Sequence, residues 1–164
     1  MMIRKMHESD LPQVLALDQR SWTAQTSPVW QRQKSLDDLK QALLRGTQIL
    51  LAEEGQDILG YLDYQPYYPF PAGHHVVTFG ILVDKAYQGQ GIGQTLFQAF
   101  LDEARKASYR KISIPVLASN HKALAFYEKN GFKEEARLRQ HFFIQGHYVD
   151  GLILGKDLED THDR

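Results

Sequence analysis

The chain contains no cysteine, and that one absence closes several routes at once. Disulfides, thiolate metal sites and a cysteine nucleophile are all excluded. A basic surplus is missing too: 19 Lys plus Arg face 20 Asp plus Glu, so composition gives no footprint of nucleic-acid binding. No apolar run approaches the ~20 residues that span a bilayer. The opening Met1-Met2-Ile3-Arg4-Lys5-Met6-His7-Glu8 turns polar too early for the apolar region of a signal peptide. Repeats, low-complexity tracts and interdomain linkers are lacking as well. What remains reads as a single 164-residue domain, expected in the cytoplasm, independent of metal, membrane and nucleic acid, and ending in a flexible tail over residues 157–164.

Apolar periodicity predicts a mixture of strands and helices. Residues 3–6 read as a first strand, and Ser9-Asp10 can cap a helix to about residue 20, with Leu11, Val14, Leu15 and Leu17 on its apolar side. Residues 19–34 are polar and irregular, with Trp22, Pro28 and Trp30 embedded. A second helix begins at Ser35, places Leu36, Leu39, Leu43 and Leu44 at helical spacing, and ends near Gly46. Strands over 48–53 and 58–65 flank a Glu54-Gly55-Gln56-Asp57 turn, and Tyr67-Tyr68-Pro69-Phe70-Pro71-Ala72-Gly73 forms a rigid aromatic loop. An apolar strand over 76–83, a helix over 92–107 and a strand over 111–117 follow. A long hairpin over 132–143 and 148–156, turning at Gln145-Gly146-His147, closes the chain.

Tyr87-Gln88-Gly89-Gln90-Gly91-Ile92-Gly93-Gln94-Thr95-Leu96 joins the apolar strand to the helix behind it. Glycines at alternate positions permit positive φ and close backbone approach. The helix start adds unpaired N–H groups and the positive end of its dipole. Such a loop suits a phosphate, although a tight strand-to-helix turn without a ligand is the plain alternative. Two familiar phosphate patterns fail here. A G-x-x-x-x-G-K-S/T loop requires a lysine that does not follow these glycines, and in G-x-G-x-x-G counted from Gly89 and Gly91 the third site is Gln94.

The pattern that does stand is Gln-x-x-Gly-x-Gly, carried by Gln88, Gly91 and Gly93. It resembles the pyrophosphate loop of the GNAT superfamily of acyl-CoA-dependent N-acetyltransferases. A second block, Asn120-His121-Lys122-Ala123-Leu124-Ala125-Phe126-Tyr127-Glu128-Lys129-Asn130-Gly131-Phe132, is similar to a later helix of that family, in which Asn, Ala and a Tyr precede a Gly-Phe pair. The resemblance implies an α/β (α+β) fold: a mixed central sheet of about six to seven strands flanked by about four helices. Its two central parallel strands would splay around acyl-CoA. Pro115 inside the 111–117 strand fits such a divergence, as it would fit an edge or a bulge.

Under that resemblance the chain is an N-acetyltransferase that moves an acetyl group from acetyl-CoA, its co-substrate, to a primary amine by direct attack in a ternary complex. The backbone of Gln88, Gly89, Gln90, Gly91, Ile92 and Gly93 would hold the diphosphate. The backbone of Ile81, Leu82 and Val83 would bond the pantetheine, with the N–H of Leu82 or Val83 polarising the thioester carbonyl. Tyr127 would be the general acid for the leaving thiolate, although core packing beside Phe126 also accounts for it. Asn120, two helical turns earlier, would face the cofactor or simply cap the helix. The position that carries a strand glutamate in some members is Val77 here, which leaves His74, His75, Asp63, His141, Asp150 or a water chain to take the proton of the amine. A groove between the first helical region and the final hairpin would receive a small-molecule amine or a protein or peptide amine. Trp22, Trp30, Tyr64, Tyr67, Tyr68, Phe70, His141, Phe142 and Tyr148 are its aromatic candidates, and the hairpin also offers a surface for a homodimer. A chain that kept the loop and lost turnover would instead be an acyl-CoA-binding sensor.

Overall fold

The structure, a computed structural model, describes residues 1–29, 31 and 34–158. Seven strands form one sheet in the spatial order β1-β2-β3-β4-β5-β7-β6. β1 (Met2–Lys5), β2 (Gln48–Glu54), β3 (Asp57–Pro66) and β4 (Val76–Val83) make one antiparallel half. β5 (Lys111–Leu117), β7 (His147–Asp157) and β6 (Lys133–Ile144) make the other. The halves meet through a parallel pairing of β4 and β5 that is only two residue pairs long, Val76–Lys111 and Val77–Ile112. Beyond Val77 the two strands diverge.

Helices cover both faces. On one, α1 (Leu11–Gln19) and α2 (Leu36–Leu44) bury Leu11, Val14, Leu17 and Leu39 with Ile49, Leu51 and Tyr61 of the sheet. On the other, α3 (Ile92–Lys106) and α4 (His121–Lys129) pack with Leu62, Tyr64, Val77, Phe79, Ile112 and Ile114. Phe97 and Phe100 of α3 are fully buried, each stabilising the fold by roughly 1.5–3 kcal/mol. The start of α2 is fixed by a reciprocal cap, in which Asp38 N–H donates to Ser35 Oγ at 3.1 Å and Ser35 N–H donates to Asp38 Oδ2 at 2.9 Å.

Backbone alternation explains how β5 tolerates a proline. Lys111 N–H donates to His75 O at 3.1 Å and Ala118 N–H donates to Asp150 O at 3.0 Å. Strand alternation then aims Ile112, Ile114 and Val116 at β7, and Ser113, Pro115 and Leu117 towards β4. The N–H that Pro115 lacks would have pointed into the divergence, where no strand is paired, so no ladder bond is lost.

β6 carries two extra residues between Leu138 and Phe142, which oppose Gly151 and Val149 of β7. Gln140 takes φ 50° there, and Asp150 holds the bulge by accepting from Gln140 N–H and Arg137 Nη1, both at 2.8 Å. The flexible tail expected from residue 157 is corrected in part. Asp157 closes β7, and Leu158 is buried in the main core with its N–H donating to Arg110 O at 2.8 Å. Strand pairing with Lys111 holds Asp157, and the backbone bond together with core packing holds Leu158. Residues 159–164 lie outside the described residues.

Candidate active site

Where β4 leaves β5, the sheet opens into a cavity of about 860 Å³. Residues 79–83 form one wall and residues 115–117 the other, with Phe126 and Tyr127 of α4 between them. Gln88, Gly89, Gly91 and Gly93 line it on the α3 side. Ser21, Trp22, Thr26 and Pro28, from the segment between α1 and α2, line it together with Leu138, His141 and Phe142 of β6.

The glycine loop is built from its backbone. Asp84 starts a single 3₁₀ turn by accepting from Ala86 N–H at 3.1 Å, and Arg20 pins the same carboxylate at 2.6 Å. Gly89 and Gly91 then take φ 80° and 78°, where a side chain would be strained. The space around both Cβ positions is open, so the backbone angle and not crowding requires glycine. Gly91 precedes α3 and offers no side-chain cap, which leaves the N–H groups of Ile92, Gly93 and Gln94 open at the positive end of a 15-residue helix. Gln88 turns back, its Nε2 donating to Val83 O at 3.3 Å, and so shapes the loop. Gln90 is exposed and does not line the cavity.

Strand parity decides which backbone groups of β4 are free. Asp84 N–H donates to Leu59 O at 2.8 Å and Tyr67 N–H donates to Val76 O at 2.9 Å, both across the β3–β4 ladder. Alternation therefore commits Val76, Thr78, Gly80 and Leu82 to β3 and turns Phe79, Ile81 and Val83 into the divergence. Of the two residues expected to offer an N–H to a carbonyl, Val83 faces the cavity with its backbone and Leu82 does not.

Tyr127 is 8% exposed, its ring set edge-on to Phe79 at 5.9 Å and to Phe132 at 5.3 Å. Its hydroxyl bonds no other described residue. Burial, with the charge of Asp63 adding to it, holds its pKa above the ordinary 10, so the phenol keeps its proton. Asn120 caps α4, its Oδ1 accepting from Ala123 N–H at 3.3 Å, and also lines the cavity. The two readings of this residue therefore coexist. The far end of α4 is tied to α3 by paired amides, with Gln94 Nε2 donating to Asn130 Oδ1 at 2.8 Å and Asn130 Nδ2 to Gln94 Oε1 at 3.1 Å.

The sequence profile of the acetyltransferase (GNAT) family matches residues 11–132. The chain belongs to the GNAT acetyltransferases. Its similarity extends over nearly the whole length of the ribosomal protein bS18-alanine N-acetyltransferase of Escherichia coli (strain K12), at 28% identity over 161 residues, 93% of this chain and 94% of that protein. The crystal structure of smu.2055 from Streptococcus mutans UA159 is 45% identical, with a TM-score of 0.93, and the match covers 97% of this chain and 100% of that one. The same fold, at 21% identity and a TM-score of 0.85, occurs in yncA from Salmonella typhimurium with its cofactor acetyl-CoA, over 98% of this chain and 95% of that one. The activity is acetyl transfer from acetyl-CoA to an amine. The site fits that donor: open amides at the start of α3 suit a diphosphate, and the unpaired edge of β4 suits an amide-containing arm.

On the acceptor side of this acetyltransferase the aromatic candidates separate cleanly. Trp22, His141 and Phe142 line the cavity. Tyr64 is in the core against Phe100 at 5.2 Å, and Tyr67, Tyr68 and Phe70 pack against one another outside the cavity lining. Tyr148 pairs with Phe143 at 5.0 Å near the hairpin tip, and Trp30 lies outside the described residues. Among the base candidates, His74, His75 and Asp63 do not line the cavity, although Gly80, the ladder partner of Asp63, does. Asp150 is committed to the bulge, where Gln140 N–H and then Arg137 hold its carboxyl below the ordinary range. Sequence reasoning missed Thr26, Phe79, Gly80 and Phe126. Phe79 and Gly80 carry a readable signal, an aromatic and a glycine inside a largely aliphatic strand.

Proposed function

We infer that the chain holds acetyl-CoA along the α3 start and the free edge of β4, and that a primary amine approaches from the α1–α2 side and is acetylated directly. The observation that carries this reading is the divergence after Val77, which leaves the backbone of Ile81 and the N–H of Val83 without a partner strand beside a cavity lined from both faces of the sheet. When bound, acetyl-CoA supplies an electrophilic thioester. The amides of Ile92, Gly93 and Gln94 meet its diphosphate with N–H groups and a helix dipole. Ile81 and Val83 receive the amides of its arm, which would cost about 1–3 kcal/mol each if buried without partners. The Val83 N–H polarises the carbonyl. Tyr127 keeps its proton until sulfur takes it, because burial opposes the phenolate.

The acceptor class is a primary amine on a small molecule or on a peptide. A cytoplasmic location suits that donor, and among the described residues no helix is long and apolar enough to cross a membrane. The exposed Phe143–Tyr148 pair supports self-association through the hairpin.

Two variants test the reading. Gly91→Val forces a β-branched residue to φ 78° and is expected to weaken acetyl-CoA binding by about tenfold or more, since misaligned amides forfeit over ~1.4 kcal/mol. Unchanged affinity by calorimetry would remove the loop from the site. Tyr127→Phe is expected to lower kcat by about 100-fold while acetyl-CoA affinity holds, and wild-type turnover would exclude the acid role.

A further inference from the structure

Two carboxylates sit on the sheet face that α1 and α2 cover, and their surroundings differ. Asp18, on α1, is 2% exposed and its Oδ2 takes three donors: Tyr61 Oη at 2.5 Å, Trp22 Nε1 at 3.0 Å and Lys34 Nζ at 3.4 Å. Asp63, in the middle of β3, is half-buried by surface area yet surrounded closely enough by protein for burial to dominate its titration. Its carboxylate makes no hydrogen bond to any other described residue. A carboxylate so placed destabilises a fold when ionised.

Its partner across the ladder is Gly80, and Gly80 lines the cavity. A Cβ on Gly80 would stand 2.9 Å from Asp63 Oδ1. The missing side chain therefore leaves the carboxylate a direct approach to the cavity wall. Strand alternation sets Asp63 on the same face as Tyr61, the face of α1 and α2. From the opposite face, Tyr127 is close enough to feel the charge of Asp63. Tyr127 lines the cavity directly, whereas Asp63 lies one strand behind the cavity wall, with Gly80 between.

We propose that Asp63 is the acceptor-side catalytic residue, its carboxylate reaching past Gly80 to anchor the ammonium of an incoming primary amine and take its proton. This rests on the donor-side reading given above. Proton transfer from the ammonium to Asp63 leaves nitrogen with a lone pair. That pair forms the N–C bond as the C–S bond breaks, Tyr127 gives its proton to sulfur, and the second proton on nitrogen returns to the Tyr127 oxygen. Asp63 then releases its proton to water. The sum is ammonium and thioester going to amide, thiol and one proton.

Titration supports the geometry. Burial pushes the Asp63 carboxyl up to about 6 against the pull of Lys34, with Asp18 adding a little. A base in that range suits work near neutral pH. The charged and titratable groups around it are Asp18 and Lys34 on the α1–α2 side, Tyr61 beside it on β3 and Tyr127 across the divergence. The acceptor class that follows is a cationic aliphatic amine.

The test compares wild type, Asp63→Asn and His141→Ala, the last because His141 lines the cavity. Acetylation of 1,4-diaminobutane and of a peptide with an N-terminal alanine is followed across pH, with acetyl-CoA affinity and thermal unfolding measured on the same proteins. Asp63→Asn is expected to lower kcat/KM by about 100-fold at neutral pH, with recovery as alkali frees the amine and with acetyl-CoA affinity held. Wild type should lose thermal stability as pH rises from about 4 to 6 and the variant should not. A wild-type rate and pH profile in Asp63→Asn overturns the assignment, as does loss of the acid limb in His141→Ala alone. If wild type binds acetyl-CoA but acetylates neither amine, the assignment of a cationic aliphatic amine to Asp63 is overturned while the donor-side reading stands. Failure of wild type to bind acetyl-CoA would sink the donor-side reading, and this assignment with it.

Discussion

Asp63 keeps its proton up to about pH 6, against an ordinary value of 3.8, because burial disfavours its charge. Between those values the folded protein binds more protons than the unfolded chain. Stability therefore falls as pH rises through that interval and stays reduced above it. Discounted for solvent reaching the half-buried carboxylate, the reduction at neutral pH is on the order of 2 kcal/mol. Asp63→Asn should accordingly unfold at a higher temperature than wild type at pH 7, and the two should converge near pH 4. A variant that is less stable at both pH values would show that the carboxylate has a structural partner after all. Gain of stability with loss of turnover is the behaviour expected of a group retained for chemistry.

The same contrast appears between elements, where α4 depends on α3 for its position. Gln94 and Asn130 exchange side-chain amides, and Asn130 Nδ2 also donates to Phe126 O at 2.8 Å, one residue before Tyr127. Asn130→Ala leaves Gln94 without its partner and frees the end of α4, a loss of about 1–2 kcal/mol. It should lower the unfolding temperature and reduce kcat more than acetyl-CoA affinity, because Tyr127 is displaced while the α3 amides stay. Equal losses in both would mean that the amide pair serves the donor loop instead. Most elements were legible from periodicity and caps: β5 runs over the residues expected of it, and α2 starts at its Ser35 cap. The glycine loop and Tyr127, the donor-side residues of the proposal, could be named as candidates because each lies within a short contiguous block. Asp63 was visible only as one of several candidates, since what distinguishes it is Gly80, 17 residues away and opposite it only through β3–β4 register. The bulge that occupies Asp150 was hidden for the same reason, as its count of residues depends on the pairing strand.

At the scale of the molecule, two antiparallel half-sheets joined by a two-pair parallel contact produce one cavity with chemistry on both faces. The helix start proposed for the donor and Tyr127 belong to the α3–α4 face, whereas Asp63, proposed for the acceptor, lies with Trp22 and the segment after α1 on the α1–α2 face. On that proposal donor and acceptor are present together, and neither must leave before the other arrives. With no cysteine in the chain, a thiol-bound acetyl intermediate is excluded as well. The kinetic consequence is sequential. Initial rates measured over a grid of acetyl-CoA and amine concentrations should give intersecting double-reciprocal lines, and acetyl-CoA mixed with enzyme alone should release no stoichiometric burst of thiol. Parallel lines with such a burst would require an acetylated side chain on the protein. In that case the divergence of β4 and β5 would house one substrate at a time, and the two-faced arrangement of Tyr127 and Asp63 would have to act in separate half-reactions.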